Sequence, residues 1–82
     1  MDAAVIERAL REQIVEDLFF GDEETEIAVD ADLFELGLDS LGVNRLVVFV
    51  ERRFGVRVVD DEIVAENFRT LEALVSLVQR LG

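Results

Sequence analysis

The sequence predicts an all-α fold: a four-helix bundle with three longer helices, one short helix and a long first loop. Apolar residues recur at three- and four-residue spacing in several segments, and the chain contains no proline. The run VVFV at residues 47–50 contains three β-branched valines, but charged residues without turn signals bracket it, which favours helix there as well. The length of 82 residues predicts one domain, residues 1–82, without room for a second core.

The first helix is predicted over residues 2–20, where an apolar stripe lies on an otherwise acidic segment. The stripe has i, i+4 spacing and consists of Ile6, Leu10, Ile14 and Leu18, with Val5, Ala9, Val15 and Phe19 beside it. Gly21 and the acidic run 22–24 are expected to end this helix.

Residues 21–39 form a connection that is longer than the usual helix–helix loop. We expect its apolar side chains to anchor it to the core; they are Ile27, Val29, Leu33, Phe34, Leu36 and Leu38. Asp30 or Asp32 is expected to cap a short turn around residues 31–36.

The second long helix is predicted over residues 40–54, with Asp39 or Ser40 as its N-cap and Gly55 just past its end. Its core stripe is Val43, Leu46, Val47, Val50 and Phe54.

The rest of the chain is predicted to hold one short and one longer helix. Residues 56–59 favour an extended segment, and the acidic residues 60–62 are expected to begin a short helix that includes Ile63 and Val64. Thr70 is expected to cap a last helix over residues 71–81. The core stripe of that helix is Leu71, Leu74, Val75, Val78 and Leu81.

Composition excludes several classes of function. Nineteen acids against eight bases give a net charge of −11, which argues against nucleic acid as a partner, because that binding depends on Lys and Arg meeting phosphate. The chain has no Cys, His or Lys, so it lacks a thiol nucleophile, an imidazole base and a Schiff-base lysine. No apolar run approaches the ~20 residues that span a bilayer. We therefore expect a cytoplasmic, monomeric protein that is not an enzyme and does not bind a membrane.

Charge is distributed unevenly along the chain. Residues 1–39 hold thirteen acids and two arginines, whereas residues 40–54 hold Arg45, Arg52 and Arg53 against the single acid Glu51. The second helix is therefore predicted to be a basic island on an acidic protein.

Three known motifs fail on inspection. The segment that starts at Asp30 begins like a calcium loop, but Phe34 and Glu35 stand where a ligand and a glycine are required, so no metal site is expected. Ser40 and Gly42 resemble half of a nucleophile elbow, yet Leu38 replaces the first glycine. The adjacent Asp60 and Asp61 are better explained as partners of a helix N-terminus than as an acid–base pair.

The stretch that remains is residues 32–41, with the sequence DLFELGLDSL. A loop ending in an N-cap explains Asp39 or Ser40, but it does not require both. Nor does it explain Leu38 and Leu41 on either side of a hydroxyl that begins a helix. A serine at a helix N-terminus suits a covalent phosphoester, because phosphate oxygens are favoured there. A simple phosphorylation site would share this pattern.

This stretch resembles the acyl carrier and peptidyl carrier proteins. Residues 37–41, GLDSL, match their signature G-x-D-S-[LI]. The approach at residues 32–36 (DLFEL), the helix end at residues 50–56 (VERRFGV) and residues 66–70 (ENFRT) are also similar to that family, in its order and at its spacing. The resemblance covers roughly residues 5–81 and implies the four-helix bundle of acyl carrier type.

The resemblance implies a function as well as a fold. A phosphopantetheinyl transferase would attach 4′-phosphopantetheine to Ser40, and the thiol of this cofactor would hold acyl or aminoacyl groups as thioesters. Asp39 would take part in recognition by the transferase, and Leu41 would make apolar contacts with partners. A loading enzyme and downstream synthase or tailoring enzymes would complete the set of partners.

The second helix departs from the fatty-acid carriers of this family. Those carriers usually present acids along it, whereas this chain has Asn44, Arg45 and Arg52 at outward positions and Gly42 where an acid is common. Together with Val48, these outward residues form the predicted partner face. Specialised metabolism, with polyketide or nonribosomal peptide assembly enzymes as partners, is the main prediction. The alternatives are a discrete aminoacyl carrier of the D-alanyl type, a fatty-acid carrier, and an acidic helical adaptor in which Ser40 is only a cap.

Overall fold

The computed structural model describes residues 2–22 and 24–82. Within them the chain forms four α-helices: α1 (Ala3–Phe19), α2 (Ser40–Phe54), α3 (Ala65–Phe68) and α4 (Leu71–Leu81). A 3-10 turn at Asp60–Glu62 precedes α3, and these residues contain no strand. The predicted all-α bundle, with three longer helices, one short helix and a long first loop, is confirmed. No helix in the described part of the chain combines the length and apolar character needed to cross a membrane.

Capping residues set the helix ends largely where the sequence places them. Thr70 accepts a hydrogen bond on its hydroxyl from the amide of Ala73 at 3.1 Å and so begins α4. Gly55 ends α2 in the left-handed conformation, with φ at 67°, and its amide donates to the carbonyl of Glu51. The alternatives at the start of α2 are resolved in favour of Asp39.

The first helix and the short helix differ from their predicted bounds. Helix α1 begins at Ala3, after its N-cap Asp2, and it ends at Phe19, because Phe20 already adopts a left-handed φ of 57° ahead of Gly21. Glu23 of the acidic run lies outside the described residues. The short helix predicted to include Ile63 and Val64 is wrong. Val64 is extended, so the turn at Asp60–Glu62 stops there and α3 begins only at Ala65.

The core joins apolar faces of α1, α2 and α4 with three anchors from the long loop. Its least exposed members include Ile6, Leu10, Ile14, Leu46, Val50, Leu71, Leu74 and Val78, as predicted, together with Leu77 and Phe68, which the predicted stripes omit. Helix α1 packs most closely against α4 and less closely against α2. The difference leaves the side of α1 that faces α2 partly open.

The long loop is fastened to the helices at several points. Ile27, Leu33 and Leu38 are buried as predicted, whereas Val29 and Leu36 remain exposed, so their predicted anchoring role is wrong. Backbone groups hold the segment around Val29 instead, since its carbonyl accepts from the amide of Glu72 at 3.0 Å. The guanidinium of Arg11 donates to the carbonyl of Ile27. A loop tied in this way can hold the residues that follow it in a fixed position.

Candidate functional site

The N-terminus of α2 presents a hydroxyl on a capped helix end. Asp39 has an extended backbone, and its carboxylate accepts from the amide of Gly42 at 2.8 Å. Its carbonyl accepts the first helical hydrogen bond, from the amide of Val43 at 2.9 Å. Ser40 is therefore the first helical residue, and it is exposed. The positive end of the α2 dipole lies behind its side chain.

The segment before Asp39 is held by the junction between α3 and α4. Leu33 is fully buried, and its amide donates to the carbonyl of Arg69 at 2.7 Å. The carbonyl of Leu33 in turn accepts from the amide of Leu38 at 2.9 Å, which closes a tight turn. Asp32, one of the two predicted caps, caps this turn: its carboxylate accepts hydrogen bonds from the amides of Phe34 and Glu35. The position of Ser40 thus depends on contacts with residues almost thirty positions later in the chain.

Asp32 and Arg69 form the polar half of this junction. An amino group of Arg69 lies 3.1 Å from a carboxylate oxygen of Asp32, and its guanidinium carbon lies 5.4 Å from the centroid of the Phe34 ring. Desolvation alone would raise the pKa of Asp32. The amides of Glu35 and Phe34 and the guanidinium of Arg69 outweigh that effect, so the pKa of Asp32 is lowered below its usual value.

The presence of glycine at position 42 has a structural reason that the sequence does not reveal. A Cβ atom at this position would lie 2.6 Å from a methyl carbon of Leu38, which is itself only 5 % exposed. A side chain at position 42 would therefore require the methyl group of Leu38, the flexible end of that side chain, to move. This close approach favours a small residue at position 42 independently of partner choice.

An open apolar groove of about 380 Å³ lies beside Ser40, and we refer to it as the Ser40 groove. The last residues of the loop, the first turn of α2 and the segment around α3 form its walls. Its lining comprises Phe34, Asp39, Ser40, Val43, Asn44, Ile63, Val64, Ala65 and Phe68. The structure thus brings the two predicted site residues Asp39 and Ser40 to the rim of an apolar surface.

A second and larger groove, of about 710 Å³, lies between α1 and α2 and is called the α1–α2 groove below. It brings together four residues of the predicted partner face: Asn44, Arg45, Val48 and Arg52. Its remaining lining residues are Gln13, Phe49 and Arg53. Leu41 follows Ser40 in the chain and is 64 % exposed. It lines neither of these two grooves.

Arg45 is only partly available on this face. Its Nε atom lies 2.8 Å from a carboxylate oxygen of Asp17 on α1, although half of the arginine side chain remains exposed. The sequence could not identify this pair, because the two residues are 28 positions apart and only helix packing brings them together. Gln13 lies outside the predicted partner face, because only helix packing brings it to α2. Arg53 is one of the basic residues of α2, and the sequence assigns it to no site.

Comparison with known proteins identifies the family to which this chain is similar. The sequence profile of the family described as "Phosphopantetheine attachment site" matches residues 8–78. The chain is 37 % identical over 70 residues to the D-alanyl carrier protein of Streptococcus sanguinis (strain SK36), which covers 84 % of this chain and 86 % of that protein. It is 38 % identical over 69 residues to the D-alanyl carrier protein of Streptococcus suis (strain 05ZYH33), over 83 % and 85 % of the two chains.

The match covers all four helices except the ends of α1 and α4, and it includes the whole segment that positions Ser40. The prosthetic group of such proteins is 4′-phosphopantetheine. The fold, the signature at residues 37–41 and the extent of the match lead to the same conclusion: this chain belongs to the phosphopantetheine-binding family of acyl and peptidyl carrier proteins.

Proposed function

We propose that this chain is an aminoacyl carrier of the D-alanyl type, modified with 4′-phosphopantetheine at Ser40. The proposed attachment site is supported by the exposed side chain of Ser40, which lies on the capped N-terminus of α2 at the rim of the Ser40 groove. The relatives named D-alanyl carrier protein support the nature of the cargo. They favour this alternative over the polyketide or nonribosomal peptide pathway that was the main prediction from sequence.

The residues around Ser40 fit the cofactor. Its phosphodiester would sit at the positive end of α2, where the dipole favours negative charge. The Ser40 groove offers an apolar surface, including Val43, Ile63 and Phe68, against which the arm can lie. When bound, the cofactor supplies the thiol that carries the cargo as a thioester, which this chain cannot do alone because it contains no cysteine.

The chain's own residues would position the cargo rather than transform it. Asp39 holds the first turn of α2 in register, and the contacts of Leu33 and Arg69 fix the loop before it. The Ser40 groove is an open surface rather than an enclosed cavity. The proposed cargo, a small amino acid, would therefore remain accessible to partner enzymes. We infer a non-catalytic role as a single cytoplasmic carrier domain, with a phosphopantetheinyl transferase, a loading enzyme and an acceptor enzyme as partners.

The attachment site is tested by intact-mass spectrometry after incubation with coenzyme A and a broad-specificity phosphopantetheinyl transferase. We expect one added phosphopantetheinyl group on the unmodified sequence and on the control Ser76→Ala, whose hydroxyl lies exposed on α4. We expect none on Ser40→Ala, which should retain its helical circular dichroism signal. Loading of Ser40→Ala would refute the site, and failure of the unmodified protein to load would favour the adaptor alternative.

The cargo is tested by incubating the phosphopantetheinylated protein, which carries no cargo yet, with loading enzymes of different classes. The panel comprises a D-alanine-activating enzyme, nonribosomal adenylating enzymes for other amino acids, a malonyl-loading acyltransferase and a fatty-acid synthase transferase. We expect the D-alanine-activating enzyme to give the highest rate of thioester formation. Preference for malonyl or for another amino acid would instead restore the specialised-metabolite prediction.

A further inference from the structure

The lining of the α1–α2 groove does not include Ser40. A smaller recess of about 300 Å³ continues it towards the N-terminal end of α1, and the two share Gln13, Phe49 and Arg53. Together they run along the side of α1 that packs less closely against its neighbour. The molecule therefore has an elongated open channel that starts one helical turn from Ser40.

The surface of the α1–α2 groove is mainly apolar. Val48 is 47 % exposed within it, and Phe49 is only half-buried, with its ring edge packed against Phe54 at a centroid distance of 6.2 Å. Val5, half exposed, and Ala9 extend the apolar surface at the far end. Apolar side chains aligned along a groove are a feature of helix-binding surfaces.

The rim of the channel is basic, in contrast with the charge of the whole chain. Arg8, Arg52 and Arg53 line it, and within residues 2–22 and 24–82 none of them has a carboxylate oxygen within 4.0 Å. Arg45 is the exception, because Asp17 neutralises it. Three cations that have no acidic partner among the described residues form a local positive field on a chain of net charge −11.

One acid belongs to the same surface, and it does not cancel the field. Glu12 lines the recess together with Arg8 and Arg53. Four arginines line the channel. Glu12 offsets one of them and Asp17 offsets Arg45, so two positive charges remain in excess. Such a surface complements an apolar stripe with acids on both sides, because the stripe fills the floor and the acids reach the rim.

The dimensions of the channel match a short helix. The lining on α2 extends from residue 44 to 53, a rise of ~14 Å, and the lining on α1 extends from residue 5 to 13, a rise of ~12 Å. Two to three turns of a partner helix would fill this length. Asn44 marks the end nearer to the site, one turn or ~6 Å along α2 from Ser40.

We propose that the α1–α2 groove and its recess dock an acidic amphipathic helix of an enzyme that acts on the arm at Ser40. The identity of that enzyme rests on the proposed carrier function, whereas the binding of the helix does not. The occupant is a partner and not a second copy of this chain, because the apolar stripes of α1 and α4 are already buried in the core of each copy. A groove filled by a different surface of an identical chain would moreover be a heterologous contact, which builds rings or filaments.

The test uses the apo protein labelled with ¹⁵N and a synthetic helical peptide as the probe. The peptide has about three turns, leucine at positions i, i+3, i+4 and i+7, and glutamate on both sides of the leucines. A matched peptide with lysine in place of glutamate is the control probe. We expect saturable amide shifts centred on Gln13, Val48 and Phe49 with the acidic peptide, weakening as salt rises, and no saturable binding of the basic peptide.

Charge-reversal variants identify the rim. Arg52→Glu should weaken binding of the acidic peptide at least about tenfold, whereas Arg57→Glu, an exposed arginine outside the channel lining, should change it less than about twofold. Both variants should melt within a few degrees of the unmodified protein, since both side chains are exposed. Equal effects of the two variants, shifts centred elsewhere, or no binding at millimolar peptide would overturn the proposal.

Other occupants and the failure of the carrier function give distinct results. Self-association in sedimentation velocity that Arg52→Glu abolishes, or binding to phosphatidylglycerol vesicles in place of the acidic peptide, would also overturn it. Ser40→Ala should bind the peptide as well as the unmodified protein does, because the channel does not include Ser40. Peptide binding without loading by coenzyme A would refute the carrier function alone, and loading without peptide binding would refute the docking site alone.

Discussion

Helix α1 meets its two long neighbours in different ways. On one side it packs against α4, where Leu71, Leu74 and Leu77 have no exposed surface. On the other side it faces α2 across the channel, where the described contacts include the ion pair of Asp17 with Arg45 and the half-exposed Val48. One helix therefore contributes to the stability of the bundle on one side and leaves a surface for recognition on the other.

The comparison shows how a small carrier can combine a firm core with an accessible surface. Burial of apolar surface against α4 supplies free energy of folding, whereas arginines on the rim of the α1–α2 groove supply little. Substitutions on the two sides should thus separate stability from binding. The four predictions below run from the largest expected effect to the smallest. Substitutions at Leu74 and in the Asp17–Arg45 pair test this separation, and substitutions at Asp39 and Asp32 test the elements that position Ser40.

The largest effect is expected on the α4 side. Leu74→Ala should lower the free energy of unfolding by ~2–5 kcal/mol, because it leaves a cavity at a fully buried position. Val48→Ala, on the α2 side, should lower it by less than ~0.5 kcal/mol and should weaken binding of the acidic peptide. Urea titrations of both variants measure the contrast. Similar losses of stability would show that the open side of α1 is as important to the core as the closed side.

The next effect is expected at the start of α2. Asp39→Ala should cost ~1 kcal/mol, because the amide of Gly42 loses its acceptor. Asp39→Asn keeps an acceptor oxygen and serves as the control, with stability close to that of the unmodified protein. If the transferase recognises the charge of Asp39, both variants should load more slowly with coenzyme A. Unchanged loading of both would leave Asp39 with a capping role alone.

A smaller effect is expected from the ion pair that joins α1 to α2. A double-mutant cycle with Asp17→Asn and Arg45→Gln should give a coupling energy of ~0.2–1 kcal/mol, at the lower end because half of Arg45 is exposed. Asp17→Asn should also strengthen binding of the acidic peptide, since it frees Arg45 to act at the rim. Weaker binding would indicate that the pair holds the channel open in the shape that the peptide requires.

The smallest effect concerns acid pH and the loop before Ser40. The pKa of Asp32 is lower in the folded protein than in the unfolded chain, so its ionised form favours folding. This contribution is fully present above the usual carboxyl pKa and is lost as the pH falls through the lowered pKa. Asp32→Asn should therefore flatten the acid limb of the melting temperature–pH curve relative to the unmodified protein. Parallel acid limbs would contradict the role of Asp32 in holding the loop.

The helical class, the bounds of α2 and α4 and the signature serine follow from the sequence alone. Periodic apolar residues such as Ile6, Leu10 and Ile14 predict a helix because the spacing of one face is a local property. The caps at Thr70 and Gly55 are local as well, since each acts within four residues of its own position. The motif at residues 37–41 identifies the family for the same reason: its members are consecutive.

Features that join distant residues were decided by the tertiary structure alone. Leu33 reaches the carbonyl of Arg69, and Arg45 reaches Asp17, only once the helices have packed. The sequence marked the basic residues of α2, but the opposite wall of the channel comes from α1, and its openness depends on how closely the two helices approach. Local patterns encode the elements, whereas the distances between elements depend on the packing of the whole core, which no short segment contains.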